Sequence, residues 1–345
     1  MCRVALRFAG SADDGRQRIQ HGKTRVAAMC DRRPTQHEPY PAWMVTGVPR
    51  ADIVPDVAVV RSMLSEQHPD LAHLPVTALA AGWDNAMFRV GDDLLLRIPV
   101  RQSAAELIVI EQRWLPLLNE RLAAAAPSIQ LPSVRRIGVG GKLHPWNWSV
   151  LDWIDGQPLA DVAVIDEAQL ARDLGAFIAE LRQPAPSDAP VNPLRGLPLN
   201  TRHEMFIAHL SDAGPVLARE LGVSVETVAQ EWGSARTAPS WDGPPQWIHG
   251  DIHPRNLLVR NGYLAAVIDF GDMAGGDPAY DGAMGWWLHI EDDRMAFLRA
   301  ADFDAATTER SRAWAIAYGV AMLACSAHDD WLVDTGARLI RGALA

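Results

Sequence analysis

One stretch constrains the fold more than any other: residues 247–281, where polar residues recur at fixed places between short apolar runs. Ile248 leads into His249-Gly250-Asp251, Leu257-Leu258-Val259 follows Asn256, and Ala265-Ala266-Val267-Ile268 runs straight into Asp269-Phe270-Gly271. Aliphatic and β-branched runs on either side of Asn261-Gly262 predict two antiparallel strands joined by a tight turn. Such a hairpin sets Asn256 at the start of one strand and Asp269 at the end of the other, so both stand at one edge.

Hard oxygen donors gathered at an edge suit phosphoryl transfer, which asks a protein mainly for positioning: Mg²⁺ on the phosphates and a carboxylate to orient the acceptor hydroxyl. Asn256 and Asp269 suit Mg²⁺, which takes few protein ligands, and Asp251 is left for the hydroxyl. Protein kinases place a catalytic Asp five residues before a metal-binding Asn and continue to Asp-Phe-Gly. Asp251, Asn256 and Asp269-Phe270-Gly271 follow that order. On these residues the chain resembles the aminoglycoside phosphotransferase family, small-molecule kinases with a protein-kinase-like fold, over about residues 50–345. The resemblance implies an α+β bilobed fold, with a small antiparallel-sheet N-lobe and a larger, mainly helical C-lobe. It also implies ATP or GTP as donor, Asp251 as the catalytic residue, Asn256 and Asp269 on Mg²⁺, and Asp281 bracing the catalytic loop. A rival reading makes His249, Asp251 and His253 a metal cluster, but no further His or Cys group with ligand spacing lies nearby.

A length of 345 residues accommodates two lobes with a substantial core. The net charge of −10 argues against nucleic acid as a partner and is compatible with a cationic ligand. Cys2, Cys30 and Cys325 are too scattered for a disulfide framework, which points to the cytoplasm, and no apolar run approaches a membrane span. Residues 1–43 are basic and without periodicity, and read as a disordered extension or as sequence upstream of a start at Met44. Gly22-Lys23-Thr24 is no phosphate loop, because Gln17 stands where that motif needs glycine. The expected boundaries are 44–153 for the N-lobe and 154–345 for the C-lobe, with a hinge at Ile154-Asp155-Gly156.

Within the first lobe, helical spacing from Asp56 to Glu66 precedes strand runs at 76–80, 86–90 and 94–98. By the resemblance, the loop Gly82-Trp83-Asp84-Asn85 covers the nucleotide, giving it Trp83 and Asn85, and Arg97 is the phosphate-binding cation. That is a departure, since the family carries lysine there, and the two lysines, Lys23 and Lys142, lie elsewhere. The helix 103–125 offers Glu111 as partner to Arg97, with Glu106 as competitor, and Pro116 is expected to distort its last turn. Runs at 134–138 and 148–153 complete five strands.

Past the hinge, 164–183 reads as a helix and Pro184–Pro198 as a loop; 201–232 reads as helices broken near Gly214-Pro215 and Gly222. Only Asp272–Gly276 separates Asp269-Phe270-Gly271 from Asp277-Pro278. There is no long activation loop, so the expected acceptor is a small molecule rather than a protein. Helices are expected at 281–291, 293–300, 305–325 and 327–343, with Trp314, Tyr318 and Met322 as a core stripe. Glu291, Asp292, Asp293, Asp329, Asp330 and Asp334 are helix-start or solvated acids, or partners for ammonium groups. The family likeness favours an aminoglycoside or related amino-sugar; a macrolide or a hydroxylated metabolite stays open, as does a regulatory nucleotide-binding pseudokinase, given the departure at Arg97.

Overall fold

The amino-terminal strands are buried on one face. In the computed structural model, which describes residues 50–79, 82–126, 128–163, 165–326 and 329–345, β1 (Val76–Ala78), β2 (Asn85–Val90), β3 (Leu94–Pro99), β4 (Val134–Gly138) and β5 (Trp148–Asp152) form an antiparallel sheet. Their order is β1-β2-β3-β5-β4. Phe88, Val90, Leu96, Ile98, Trp148 and Val150 pack against Val60, Met63 and Leu64 of α1 (Val57–Gln67) in a small core of their own. Asp56 fixes the start of α1 by accepting from Val59 N (2.8 Å), a donor the helix cannot satisfy itself. The expected extension at 1–43 lies outside the described residues.

The helix α2 (Gln102–Ala125) runs through Pro116 to Ala125, longer than a break at proline would allow. Leu118 and Leu122 beyond the proline are buried in the larger core, and that packing outweighs one lost backbone bond.

The rest is mainly helical: α3 (Glu167–Leu181), α4 (His203–Leu221), α5 (Val225–Ala235), α6 (Glu291–Ala300), α7 (Ala305–Ala324) and α8 (Asp330–Leu344). Gly214-Pro215 does not break α4, because Leu210, Ala213 and Leu217 bury one continuous face across it. The helix ends instead at Gly222, whose left-handed φ of +64° is a common stop. The helix expected at 281–291 is a 3₁₀ helix, Pro278–Trp287, every residue of it buried. Helices α7 and α8 cross glycine on glycine: a Cβ on Gly319 would come within 2.9 Å of Gly336 O, and one on Gly336 within 2.9 Å of Gly319 O.

Two small antiparallel sheets are set among these helices, most of their strands falling between α5 and α6 in sequence. β6 (Gln157–Pro158), β8 (Leu257–Arg260) and β9 (Tyr263–Val267) pair in the order β6-β8-β9, and β7 (Gln246–Ile248) pairs with β10 (Ala274–Gly276). Asn261 and Gly262 join β8 to β9 with φ of 56° and 83°, the two left-handed residues a tight hairpin turn requires. Among the described residues no helix is long and apolar enough to cross a membrane.

Candidate active site

β7 delivers the chain to the site. After Ile248, which pairs with Ala274 on β10, the backbone turns through His249-Gly250-Asp251, and Asp281 holds that turn. Its Oδ2 accepts from His249 N (2.6 Å) and its Oδ1 from Gly250 N (2.9 Å), although burial pushes the carboxyl up to about 7 against these bonds. Gly250 has φ +82°, and a Cβ there would lie 2.5 Å from Asp272 O, so the turn needs glycine. The His249 ring accepts from Asp251 N at Nδ1 (3.1 Å), which leaves Nε2–H to donate to Ile268 O (3.0 Å). Burial lowers its pKa to about 4, so it is neutral at pH 7. A ring committed to two backbone partners cannot also ligate, which removes the His249–Asp251–His253 metal cluster.

The hairpin brings its two ends together. Ile268 N donates to Asn256 O (2.9 Å), joining the residue before β8 to the residue before Asp269. Asn256 gives its amide nitrogen to Asp251 O (2.9 Å) and Oδ2 (3.3 Å). Its own Oδ1 takes no hydrogen bond among the described residues. Asp269 has a left-handed φ of +66° and pairs through Oδ1 with Arg97.

Arg97 is buried and closely held. Nη1 donates to both oxygens of Glu111 (2.7 and 2.8 Å), and Nη2 reaches Asp269. With its amide oxygen turned inward, Asn85 accepts from Nε (3.0 Å) and Nη2 (3.1 Å). Burial opposes the charge on Arg97, but Asp269 and Glu111 outweigh it and raise its pKa. Glu111 also accepts from Phe270 N (3.3 Å), which ties α2 to the residue after Asp269; the competitor Glu106 is exposed. Arg97 therefore has partners on all three nitrogens, so a phosphate oxygen would meet an occupied donor. Asn85 stands with Arg97, whereas Trp83 is joined to Arg101: Arg101 Nη2 donates to Trp83 O (2.5 Å) and to Asp84 Oδ1 (2.6 Å).

Four donors surround the Asp251 carboxylate. Tyr318 OH donates to Oδ1 (3.0 Å) and Arg195 Nη2 faces the same oxygen (3.1 Å). Asn256 and, at 3.4 Å, His253 Nε2 face Oδ2. Burial works against the charge, but Arg195 and then His253 outweigh it and hold the carboxyl well below the usual range. Burial and the charge of Asp251 raise the Tyr318 phenol, so it stays a donor.

Arg195 and Tyr318 are the residues that sequence reasoning missed. Arg195 lies in a proline-rich loop that carries no periodic signal, and Tyr318 reads as one ring of a packing stripe. Trp314 and Met322, its neighbours on that stripe, are indeed core. Of the six candidate acids, only Asp329 among the described residues pairs with the 249–256 loop, through Arg255 (3.6 Å). A cavity of about 410 Å³ lies behind the Arg195 loop, lined by Leu199, Trp241, Asp277 and Arg310 among others, and includes none of Asp251, Asn256, Asp269 or Arg97.

A five-stranded antiparallel sheet followed by a mainly helical region, within which the 257–267 hairpin runs into Asp269-Phe270-Gly271, defines a protein-kinase-like fold. The profile of the phosphotransferase enzyme family matches residues 75–316, and the chain belongs to that family. The uncharacterized protein YcbJ of Bacillus subtilis (strain 168) is 26% identical over 240 residues, 65% of this chain and 72% of that protein. Among solved structures, the GDP complex of wild-type aminoglycoside 2'-phosphotransferase-IIIa superposes with a TM-score of 0.57 at 22% identity, covering 84% of this chain and 99% of that one. The macrolide 2'-phosphotransferase MphH from Brachybacterium faecium reaches 0.53 at 18% identity, covering 82% and 98%. At these identities the likeness shows the shared fold.

Proposed function

We propose that this chain is a Mg²⁺-dependent kinase that moves the terminal phosphoryl group of ATP or GTP to a hydroxyl of a small molecule. The observation that carries the reading is the meeting of Asn256, Asp269 and Asp251 at the open end of one hairpin, joined by Ile268 N to Asn256 O (2.9 Å) and Asn256 Nδ2 to Asp251 O (2.9 Å). The donor set fits the ion: Asn256 Oδ1 and Asp269 Oδ2 are hard oxygens without hydrogen bonds among the described residues, and Mg²⁺ takes few protein ligands. Asn256 and Asp269 would hold the ion, which would supply positive charge to neutralise the phosphates. Asp251 orients the acceptor hydroxyl and takes its proton as the new bond forms. Glu111 and Asn85 fix Arg97, whose Nη2 becomes available to a phosphate oxygen only when Asp269 leaves it.

For the acceptor, charge favours a molecule with few cations, a macrolide or hydroxylated metabolite, over a polycationic aminoglycoside. Asp329 is paired with Arg255, and Asp272 shares Arg195 with Asp251, which lowers the negative charge these acids offer a cation. Mass spectrometry of Mg-ATP and Mg-GTP reactions with a panel of aminoglycosides, macrolides and hydroxylated metabolites tests both points, with Asp251→Ala as control. A phosphorylated product that survives in the control removes Asp251 from its role. Product from aminoglycosides alone reverses the choice of acceptor.

A further inference from the structure

The loop between α3 and α4 carries Arg195 to the catalytic carboxylate, and the reaction as described so far has no use for it. Its guanidinium is gripped at one corner by Tyr280, whose hydroxyl accepts from Nη1 (2.7 Å). Nη2 lies between Asp251 Oδ1 (3.1 Å) and Asp272 Oδ2 (3.5 Å). Both anchors are themselves fixed. Tyr280 is buried edge-on against Trp314 (4.7 Å between ring centroids), and Asp272 accepts from Asn192 Nδ2 (2.8 Å). Nε is buried and finds no partner among the described residues. A buried guanidinium N–H left unpaired is costly, and this one leaves Arg195 with capacity for one further oxygen acceptor.

We propose that Arg195 is an arginine finger supplied in cis, which meets the oxygens of the phosphoryl group in flight and neutralises their charge. The inference rests on the phosphotransferase reading above. A hydroxyl held by Asp251 lies about 2.7 Å from its carboxylate oxygen, and the phosphorus it attacks about 3–3.5 Å further on. Arg195 Nη2 stands 3.1 Å from Asp251 Oδ1, so a hydroxyl taken up on that oxygen brings the phosphoryl oxygens close to the guanidinium. In the transfer, the bond from acceptor oxygen to phosphorus forms as the bond from phosphorus to the β,γ-bridging oxygen breaks. The electron pair leaves with the nucleoside diphosphate, and the acceptor proton passes to Asp251 and on to solvent. Charge spread over the three remaining oxygens is what a fixed cation with a spare donor stabilises. Arg97 has no spare nitrogen, and Arg255 stacks on Trp331 (4.4 Å to the ring centroid) and pairs with Asp329. Arg195 alone of these three combines contact with Asp251 and an unpaired N–H.

The test compares wild type with Arg195→Gln, Arg195→Lys and Tyr280→Phe, the last a conservative change that frees Nη1 from its anchor. Dissociation constants are measured for Mg-ADP and Mg-GDP with and without aluminium fluoride, which mimics the phosphoryl group in flight. Turnover is followed on water and on the acceptor found by the panel. Arg195→Gln should bind the diphosphate within about threefold of wild type yet lose about a hundredfold or more of the tightening that fluoride gives. Its kcat should fall about a thousandfold with nucleotide KM little changed. Arg195→Lys should recover part of both, and Tyr280→Phe should lose about tenfold of the tightening. Fluoride tightening that is unchanged in Arg195→Gln overturns the finger. So does an equal loss for the diphosphate and its fluoride complex, which marks a loop anchor only. If wild type neither tightens with fluoride nor turns over nucleotide, the phosphotransferase reading itself falls, an outcome distinct from either of these.

Discussion

Two arginines sit on the two carboxylates of the site, and they are held in different ways. Arg97 comes from the middle of β3, is only 4% exposed, and gives every nitrogen to Glu111, Asp269 or Asn85. Arg195 comes from a loop, its side chain is 21% exposed, and one buried N–H is unpaired. The first is a fixed charge set between a strand and a helix; the second has capacity for another partner. Regular elements hold a geometry, and loops carried on them present groups to ligands.

Four changes would break or sharpen that contrast. Asp251→Ala, on the Arg195 side, should cost turnover about a thousandfold or more while Mg-nucleotide affinity stays within a few-fold. A parallel loss of nucleotide binding would mean that the two sides are one unit. Glu111→Ala, on the Arg97 side, should cost about 3 kcal/mol of stability in urea unfolding, because it leaves Nη1 of a buried guanidinium without an acceptor. A loss below about 1 kcal/mol would show that Arg97 is not the fixed member.

Acid probes the floor between the two sides, where His249 lies. Its pKa is lowered by burial from the ordinary 6.5 to about 4, so in falling pH the unfolded chain takes up this proton first. Stability from this group is complete above pH 6.5 and is lost as pH falls toward about 4; His249→Phe should flatten that slope in urea titrations from pH 7 to 4. An unchanged slope would assign the acid sensitivity elsewhere. The smallest effect is expected of Tyr318→Phe, which removes one of the donors on Asp251: kcat about three- to tenfold lower, with folding unchanged. No change at all would make the hydroxyl a bystander to the Arg195 side.

The sequence made the hairpin side readable because its signals are local. Asn261-Gly262 sets the turn, the turn sets the register, and the register brings Asn256 to Asp269. Glu111 stood out from its competitor Glu106 by its resemblance to the family's helix glutamate, and it lies on the helix that also buries Trp114 and Leu118. The roles of Arg195 and Tyr318 were not, because they depend on which distant segments meet. A tyrosine on an apolar stripe looks the same whether its hydroxyl reaches a carboxylate or nothing. Gly214-Pro215 failed for the opposite reason: a strong local breaker was overridden by the continuous buried face of α4. The loop 82–85 was legible as a turn, but not that Asn85 would face Arg97 while Trp83 held to Arg101.

The glycine-on-glycine crossing of α7 and α8 bears on how such a site could diverge. Tyr318 is the immediate neighbour of Gly319, so the stretch of α7 that carries its hydroxyl to Asp251 is also the stretch packed closest on α8. A single added methyl at Gly336, on a helix that gives the carboxylate no donor, would meet Gly319 O and shift the packing beside that hydroxyl. Descendants of this chain thus have a route to altering the surroundings of Asp251 that leaves His249-Gly250-Asp251, Asn256 and Asp269-Phe270-Gly271 in place, through changes that comparison of those motifs alone would overlook.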